Sequence, residues 1–413
     1  MIDGIMNRLM VKDINYLFKL VMSFLITCFI VGLLYDPLGS QLNVFFVKTD
    51  DLFADFFNIM IWIADKDPYY NTYLAPAAKS YFPLSYLFLM LFSGFEDYSG
   101  LRLADVYSST SAMISCLLYT LGSIFLYFHS LTRIVKCNTY TLLIICLSSV
   151  FLFTIERGNL IMIAAAFSFY FIAYKDSNSI WLRRFSLFSL CVASVLKIYP
   201  AVLGLFLLKG KRYKDIVLCV VLSLLLVFIP FMAFERGFDN IPKFIENVAE
   251  ASKGVEFITS PRYGLQVFSV IGCNFFRILD TKFFLILLYI SKVVVWTMAG
   301  FSIFCFFFEK ETWKQLLMTS MLIAYLPQVN FFYCGIYFIP FLLLFMNDNP
   351  KWTTRNIFYT LLACVFFNPF QIVIHGIAIS WMLSNLAMLL MWLLIIIDSF
   401  QSWRATTKIE ISK

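Results

Sequence analysis

The sequence predicts an all-α polytopic membrane protein, and three observations carry that prediction. Of its 413 residues, 61% are hydrophobic and only 14% charged, against about 25% charged in a soluble domain. Apolar runs recur along the chain, each bounded by Lys or Arg, and about 20 apolar residues are what a helix needs to cross a bilayer. When those runs are counted as alternating crossings, the short basic loops all fall on one side, which is how membrane orientation is encoded. The same composition excludes an ordinary soluble enzyme and a disordered chain. The net charge of +7 belongs to these loops, so no nucleic-acid partner is expected. Abundant aromatics, 48 of them Phe, suit packing against acyl or isoprenoid chains.

About ten spans are expected, at 14–35, 106–128, 139–155, 159–174, 216–234, 283–308, 315–329, 331–347, 356–373 and 377–399. Arg8 and Lys12 put the N-terminus in the cytoplasm. The apolar stretch 17–34 is too long for a secretory signal and lacks a small-x-small cleavage site, so it reads as an uncleaved first span. Counting onward, Arg133 and Lys136, then Lys175, Arg183 and Arg184, then Lys209, Lys211, Arg212 and Lys214 are cytoplasmic. So are Lys310 and Lys314, Lys351 and Arg355, and Arg404 and Lys408, with the C-terminus beyond them.

Residues 185–208 break the alternation, because basic clusters flank this apolar segment at both ends. Both ends must then be cytoplasmic, and the segment enters and returns as two half-helices of about a dozen residues, reaching only about 18 Å. Lys197-Ile198-Tyr199-Pro200 lies at the apex, where proline interrupts the helix. A broken helix at that depth has to be enclosed by protein or line a cavity.

The long loops lie on the outer side. Residues 36–105 carry nine acids against four bases, and the apolar piece 83–95 within them is too short to span. The second large loop, 235–282, contains a stretch at 240–257 with helical spacing of Ile241, Phe244, Ile245 and Val248, an amphipathic surface helix. No internal repeat is present, which argues against a repeat-built transporter. The ten cysteines form no C-x-x-C pair, so neither a zinc site nor a disulfide framework is indicated.

Chemistry is expected in five places. In Thr49-Asp50-Asp51-Leu52-Phe53-Ala54-Asp55-Phe56-Phe57-Asn58, Asp51 and Asp55 share a helix face. They are either a general base beside a lipid-borne substrate or a solvated acidic loop that caps a helix. Asp65-x-Asp67 has the form of a metal-holding pair but also that of a chance match. Glu156-Arg157-Gly158-Asn159 is a tight outer turn with more charge than a hairpin requires. Lys197 is an ionisable group inside a membrane segment, which is costly and points to function; Lys292 is the other such base and is free to snorkel. Arg262 and Arg277 add cations to the outer side, an arrangement that suits an anionic leaving group beside a carboxylate.

At these residues the chain resembles the polytopic GT-C-fold glycosyltransferases that use polyprenyl-phosphate sugars, in particular glycosyltransferase family 87. The matching motifs are Ala54-Asp55-Phe56-Phe57-Asn58, Asp67-Pro68-Tyr69, Tyr81-Phe82-Pro83-Leu84, Arg157-Gly158-Asn159 and Lys197-Ile198-Tyr199-Pro200, in order over residues 50–215. Asp67 stands where that family has Asn, and Phe82 replaces the first proline of a Tyr-Pro-Pro-Leu. Beyond residue 215 the likeness is confined to helical character and the polar end Pro327-Gln328-Val329-Asn330.

The resemblance implies inverting transfer of a hexose, glucose or mannose, from undecaprenyl or another polyprenyl phosphate to a glycan acceptor such as O-antigen. The site would face the periplasm of a bacterial inner membrane and use neither cofactor nor metal. Asp55, or Asp51 as second choice, would be the base; Lys197, Arg157 and Arg262 would hold the donor phosphate. Asn58, Tyr81, Glu156, Asn159, Tyr199 and Asn330 would bind donor or acceptor. A small flippase and a polyprenyl-phosphate sugar synthase would act upstream. A lipid-linked oligosaccharide flippase or an O-antigen polymerase is the alternative, although a transporter should carry more ionisable residues at the membrane midplane.

Overall fold

A computed structural model describes residues 13–35, 52–93, 96–251, 263–265, 267–268, 281–327, 330–348, 351–374 and 377–411. Among these residues the chain is helical, apart from the two-residue strands β1 (Val373–Ile374) and β2 (Ile377–Ala378), which pair antiparallel. The first part comprises α1 (Ile14–Tyr35), α2 (Ala54–Ala64), α3 (Pro83–Ser93), α4 (Leu103–Tyr107), α5 (Thr110–Ile134), α6 (Thr139–Cys146) and α7 (Ser149–Arg157). Then follow α8 (Ile161–Tyr174), α9 (Ile180–Leu196), α10 (Leu205–Lys209), α11 (Tyr213–Phe228) and α12 (Asn240–Ala251). The last part contains α13 (Thr281–Phe308), α14 (Thr312–Tyr325), α15 (Ile339–Asp348), α16 (Thr354–Phe367) and α17 (Ile379–Ile411).

The all-α polytopic architecture agrees with the sequence, but its spans are distributed differently. Among the described residues five helical stretches are long and apolar enough to cross a membrane: Ile14–Tyr35, Thr110–Ile134, Tyr213–Ala233, Lys282–Phe308 and Ile379–Arg404. A sixth appears if α6 and α7, bent by 60° at their junction, are counted together. The bend has a local cause: Ser148 caps α7, its Oγ accepting from the Phe151 N–H at 3.4 Å, so the run 139–155 is two helices. The remaining expected spans are shorter, and burial explains why. Every residue of α14 from Trp313 to Tyr325 is buried, and α8 is enclosed along most of its length. A 14-residue helix is only about 21 Å long, but one sheathed by protein need not match the bilayer by itself. Most of the long helices are more peripheral, and α1 and α11 turn most of their side chains outward.

The basic loops meet at one end of the bundle. Asp13 pairs with Lys351 through an isolated antiparallel backbone β-bridge, the Asn347 amide donates to the Lys136 carbonyl at 3.4 Å, and Arg355 pairs with Asp398 at 2.7 Å. Ser399 donates to Glu309 at 2.7 Å, Glu309 pairs with Lys314 at 3.4 Å, and Lys209 donates to the Phe306 carbonyl at 2.9 Å. Arg212 reaches the Lys175 carbonyl, and the Lys175 ammonium lies over the Phe206 ring.

From that end α9 rises to Leu196 and stops at Lys197, and the chain turns back through a 3₁₀ segment, Tyr199–Gly204, into α10. The rising limb has 17 residues and begins at Ile180, so Arg183 and Arg184 lie inside it and not ahead of it. The return limb is 3₁₀ before it is α, and Pro200 sits in its first turn, where an N–H would have no helical acceptor.

Two main apolar cores result among the described residues. The larger unites α7, α8, α14, the 3₁₀ segment Phe332–Phe338, α15 and α16. The smaller, rich in aromatics such as Phe56, Tyr69, Tyr86 and Tyr119, joins α2, α3 and α5 at the end remote from the basic loops. Helix α12, amphipathic as its spacing predicts, packs over the segments Pro68–Tyr70 and Pro76–Ala78.

Candidate active site

The site begins with a junction between α2 and the end of α7. Phe53, in the left-handed region at φ 53°, starts α2, and its N–H donates to the Glu156 carbonyl at 2.7 Å. Gly158, at φ 59°, ends α7 against it; an added Cβ would lie 3.1 Å from Phe56 Cβ. Glycine satisfies both the left-handed turn and the close approach. The docked helices bring Asp55 to the residues on either side of Gly158.

Arg157 Nη2 donates to Asp55 Oδ1 at 2.6 Å. Asn159 Nδ2 donates to Asp55 Oδ2 at 2.6 Å and to the Tyr81 hydroxyl at 3.2 Å. Asn159 Oδ1 in turn accepts from the Ile161 N–H at 3.0 Å. Burial pushes the Asp55 pKa up, but the Arg157 charge, the hydrogen bonds from Arg157 and Asn159, and the Lys197 charge outweigh it and hold the carboxyl below the ordinary aspartate value. Asp55 is therefore a carboxylate at neutral pH.

Lys197 approaches from the apex of the α9–α10 hairpin. It is 8% exposed, and its ammonium lies 4.3 Å from the Tyr81 ring centre and 5.8 Å from that of Tyr333. These rings attract the cation through their π faces, yet among the described residues its ammonium forms no ion pair. Asp55, Asn58, Tyr81, Lys197 and Tyr199 all line one cavity of about 530 Å³, with Trp62, Phe244, Phe331 and Tyr333 as further aromatic walls. The Asn58 side-chain oxygen is buried there without a hydrogen-bond partner. The cavity thus offers a fixed anion, an available cation, an unsatisfied acceptor and aromatic faces suited to sugar rings.

Other expected site residues lie elsewhere. Arg157 supports Asp55 and is not part of the cavity lining. Glu156 is 1% exposed and contributes its backbone carbonyl to the α2 junction. Asn330 is fully buried; its amide donates to the Ile323 and Ala324 carbonyls at 2.6 and 2.9 Å, closing the end of α14. Asp65 and Asp67 point to different partners, Asn71 for the first and Arg236 with Asn240 for the second. Among the described residues no cluster of metal-ligating side chains occurs. Lys292 is exposed on α13. Asp50, Asp51, Arg262 and Arg277 lie outside the described residues.

Sequence reasoning overlooked the aromatic walls. Trp62, Phe244 and Tyr333 look like ordinary apolar positions, and only the aromatic run Phe331-Phe332-Tyr333 after Asn330 hints at one of them.

A groove adjoins the cavity. It holds about 330 Å³ between α9, the 3₁₀ return segment and α11, is almost wholly apolar, and shares Phe82 and Ile198 with the cavity wall.

A polytopic helical bundle with a carboxylate and a cation facing one cavity is an arrangement suited to group transfer at a membrane. Glycosyltransferase family 87 matches residues 80–329, and the chain belongs to that family. It is a membrane glycosyltransferase. The matched region includes Tyr81, Arg157, Asn159 and Lys197, while Asp55 joins them through the fold. No curated protein and no solved structure matches the chain.

Proposed function

We propose that this glycosyltransferase moves a hexose, glucose or mannose, from a polyprenyl-phosphate donor to a glycan acceptor such as O-antigen, with inversion. The observation that carries the reading is that Asp55 and Lys197 face one cavity whose wall, at Phe82 and Ile198, is also the wall of an apolar groove. An anionic headgroup attached to an isoprenoid chain needs such a pairing of polar and apolar space.

In the proposed step, the acceptor hydroxyl oxygen forms a bond to the anomeric carbon as that carbon's bond to the phosphate oxygen breaks. The phosphate leaves with the electron pair and meets the Lys197 ammonium, a charge-assisted contact in a site where water is scarce. The hydroxyl proton passes to Asp55. Its low pKa makes it a modest base, so its contribution is orientation first and proton acceptance late, as charge leaves the nucleophile. Asn159 holds Asp55 and Tyr81 in register. No metal or cofactor is needed for this step.

The position of the cavity at the end away from the basic loops supports, by the charge rule, a site on the periplasmic face of a bacterial inner membrane with both termini cytoplasmic. A flippase and a polyprenyl-phosphate sugar synthase would supply the donor.

The test is transfer from radiolabelled polyprenyl-phosphate hexose to acceptor in membranes. Wild type should form product and release lipid phosphate. Asp55→Asn, inserted at normal levels, should lose at least about a hundredfold in rate. Full turnover by Asp55→Asn removes the base from this mechanism, and movement of lipid-linked glycan without glycosidic bond formation favours the flippase reading.

A further inference from the structure

At the opposite end of the bundle is a second polar cavity, unrelated to sugar transfer. It encloses about 220 Å³ between the start of α1, the start of α6 and the end of α15. Lys19 and Lys136 line it together with Asp13, Asn15, Asn138 and Asn347. Among the described residues neither lysine has an ion-pair partner. Asp13, the cavity's carboxylate, is already engaged: it accepts from the Asn15 backbone N–H and side-chain amide, both at 2.9 Å. Asn138, which also lines the cavity, uses its side-chain oxygen to cap α6, accepting from the Thr141 N–H at 2.8 Å, so that its amide is left as a donor. The balance is one net positive charge with several donors, and the start of α6 adds its own positive end.

The surroundings identify the ligand. Above the cavity, α1 and α6 are joined by the Ser23–Tyr140 hydrogen bond at 2.6 Å. On α1 the apolar residues Leu20 and Phe24 are 55% and 65% exposed, and on α6 Tyr140 and Leu143 are 50% and 56% exposed. A soluble phosphate would have no use for that apolar stripe, whereas acyl chains would cover it. We infer that this cavity is a binding site for the headgroup of an anionic phospholipid, with Lys19 and Lys136 holding the phosphate and the α1–α6 face carrying the chains. Basic pockets between membrane helices bind such headgroups through the same combination.

The experiment is native mass spectrometry of the full-length protein in detergent, with phosphatidylglycerol, phosphatidylcholine and glycerol 3-phosphate as probes. Wild type should retain phosphatidylglycerol about tenfold more than phosphatidylcholine and should show no retention of glycerol 3-phosphate. The pair Lys19→Gln with Lys136→Gln should abolish the preference, and Lys19→Arg with Lys136→Arg should keep it. A control pair at the same end, Lys214→Gln with Lys310→Gln, both exposed, should leave it unchanged. The inference is overturned if the glutamine pair retains the lipid as wild type does, or if the control pair loses it equally. Binding of glycerol 3-phosphate as firmly as the lipid overturns it as well, because the site would then be one for soluble phosphates. If the glutamine pair does not fold, the wild-type preference and the arginine pair decide. None of these measurements depends on sugar transfer, so the outcome is separate from that of the proposed function.

Discussion

Arg157 and Asp55, 102 residues apart in the chain, meet at 2.6 Å with side chains only 17% and 20% exposed. The pair fixes the carboxylate and lowers its proton affinity together. A phosphate that drew Arg157 away would raise the pKa of Asp55, so the strength of this base depends on what else the guanidinium touches.

Substituting Arg157 should therefore change pH dependence as well as rate. In the wild type the Asp55 pKa lies below its ordinary 3.8, so the stability it contributes is present above that value and is lost as pH falls through the lower folded-state pKa. In Arg157→Gln, burial is no longer opposed by the guanidinium, and the pKa rises. The acid limb of the transfer rate and the onset of acid destabilisation should both move to higher pH. Unpairing a mostly buried carboxylate should also cost about 3 kcal/mol. Arg157→Lys should fall between the two proteins. An unmoved acid limb in Arg157→Gln would mean that Asp55 does not control it.

Lys197 should behave as a ligand-binding group and not as a structural one. Its ammonium is nearly buried, lies over the Tyr81 and Tyr333 rings and forms no ion pair among the described residues, so removing the charge should not destabilise the fold. Lys197→Met keeps the apolar stem and should leave the thermal midpoint level or higher. Loss of a charge-assisted contact worth about 1.5–3 kcal/mol should lower kcat/KM for the donor by roughly ten- to a hundredfold. Lys197→Arg should recover part of it, since the charge stays while the geometry changes. Equal losses of stability and activity in Lys197→Met would place the residue in the scaffold.

The sequence makes some of this legible and hides the rest for identifiable reasons. The surplus charge at Arg157-Gly158-Asn159 and the lone lysine before Pro200 stand out because both are costly in a membrane protein unless used. Hydropathy alone, however, cannot distinguish a helix surrounded by lipid from one surrounded by protein. Trp313 to Tyr325 thus reads as a span although protein encloses it. The bend between α6 and α7 hides in a continuous apolar run whose one clue is Ser148-Ser149. Asn330 looks as functional as Asn159; the difference is that its amide is taken up by the end of α14, which only the folded chain reveals.

The apolar groove can be filled without touching the catalytic cavity. Gly204 lines it, has no atom within 4 Å of where a Cβ would lie, and has an ordinary φ that other residues tolerate. Gly204→Leu should fold normally and place its side chain where the donor's isoprenoid chain is proposed to lie. Transfer from a long-chain donor should fall at least about tenfold, since each buried methylene is worth about 0.8 kcal/mol, while a short-chain donor analogue should be used nearly as before. Equal effects on both donors, measured in the same membranes, would exclude the groove as the chain site.

Asn58 provides the sharpest distinction between binding and scaffold. It lies three residues after Asp55 on α2, and its side-chain oxygen is buried in the cavity without a hydrogen bond. An unsatisfied buried acceptor costs about 1–3 kcal/mol, a cost that a substrate hydroxyl would relieve. Asn58→Leu, of nearly the same volume, removes the penalty and the recognition together. Its thermal midpoint should rise while kcat/KM for the sugar-bearing substrates falls about tenfold or more. Asn58→Asp should differ, because a second carboxylate one helical turn from Asp55 raises the pKa of one of the pair and should shift the pH profile upward. Thermal unfolding and transfer assays on the same preparations separate the cases. A leucine variant that is less stable and equally active would show that Asn58 is already satisfied in the free enzyme and reads no substrate.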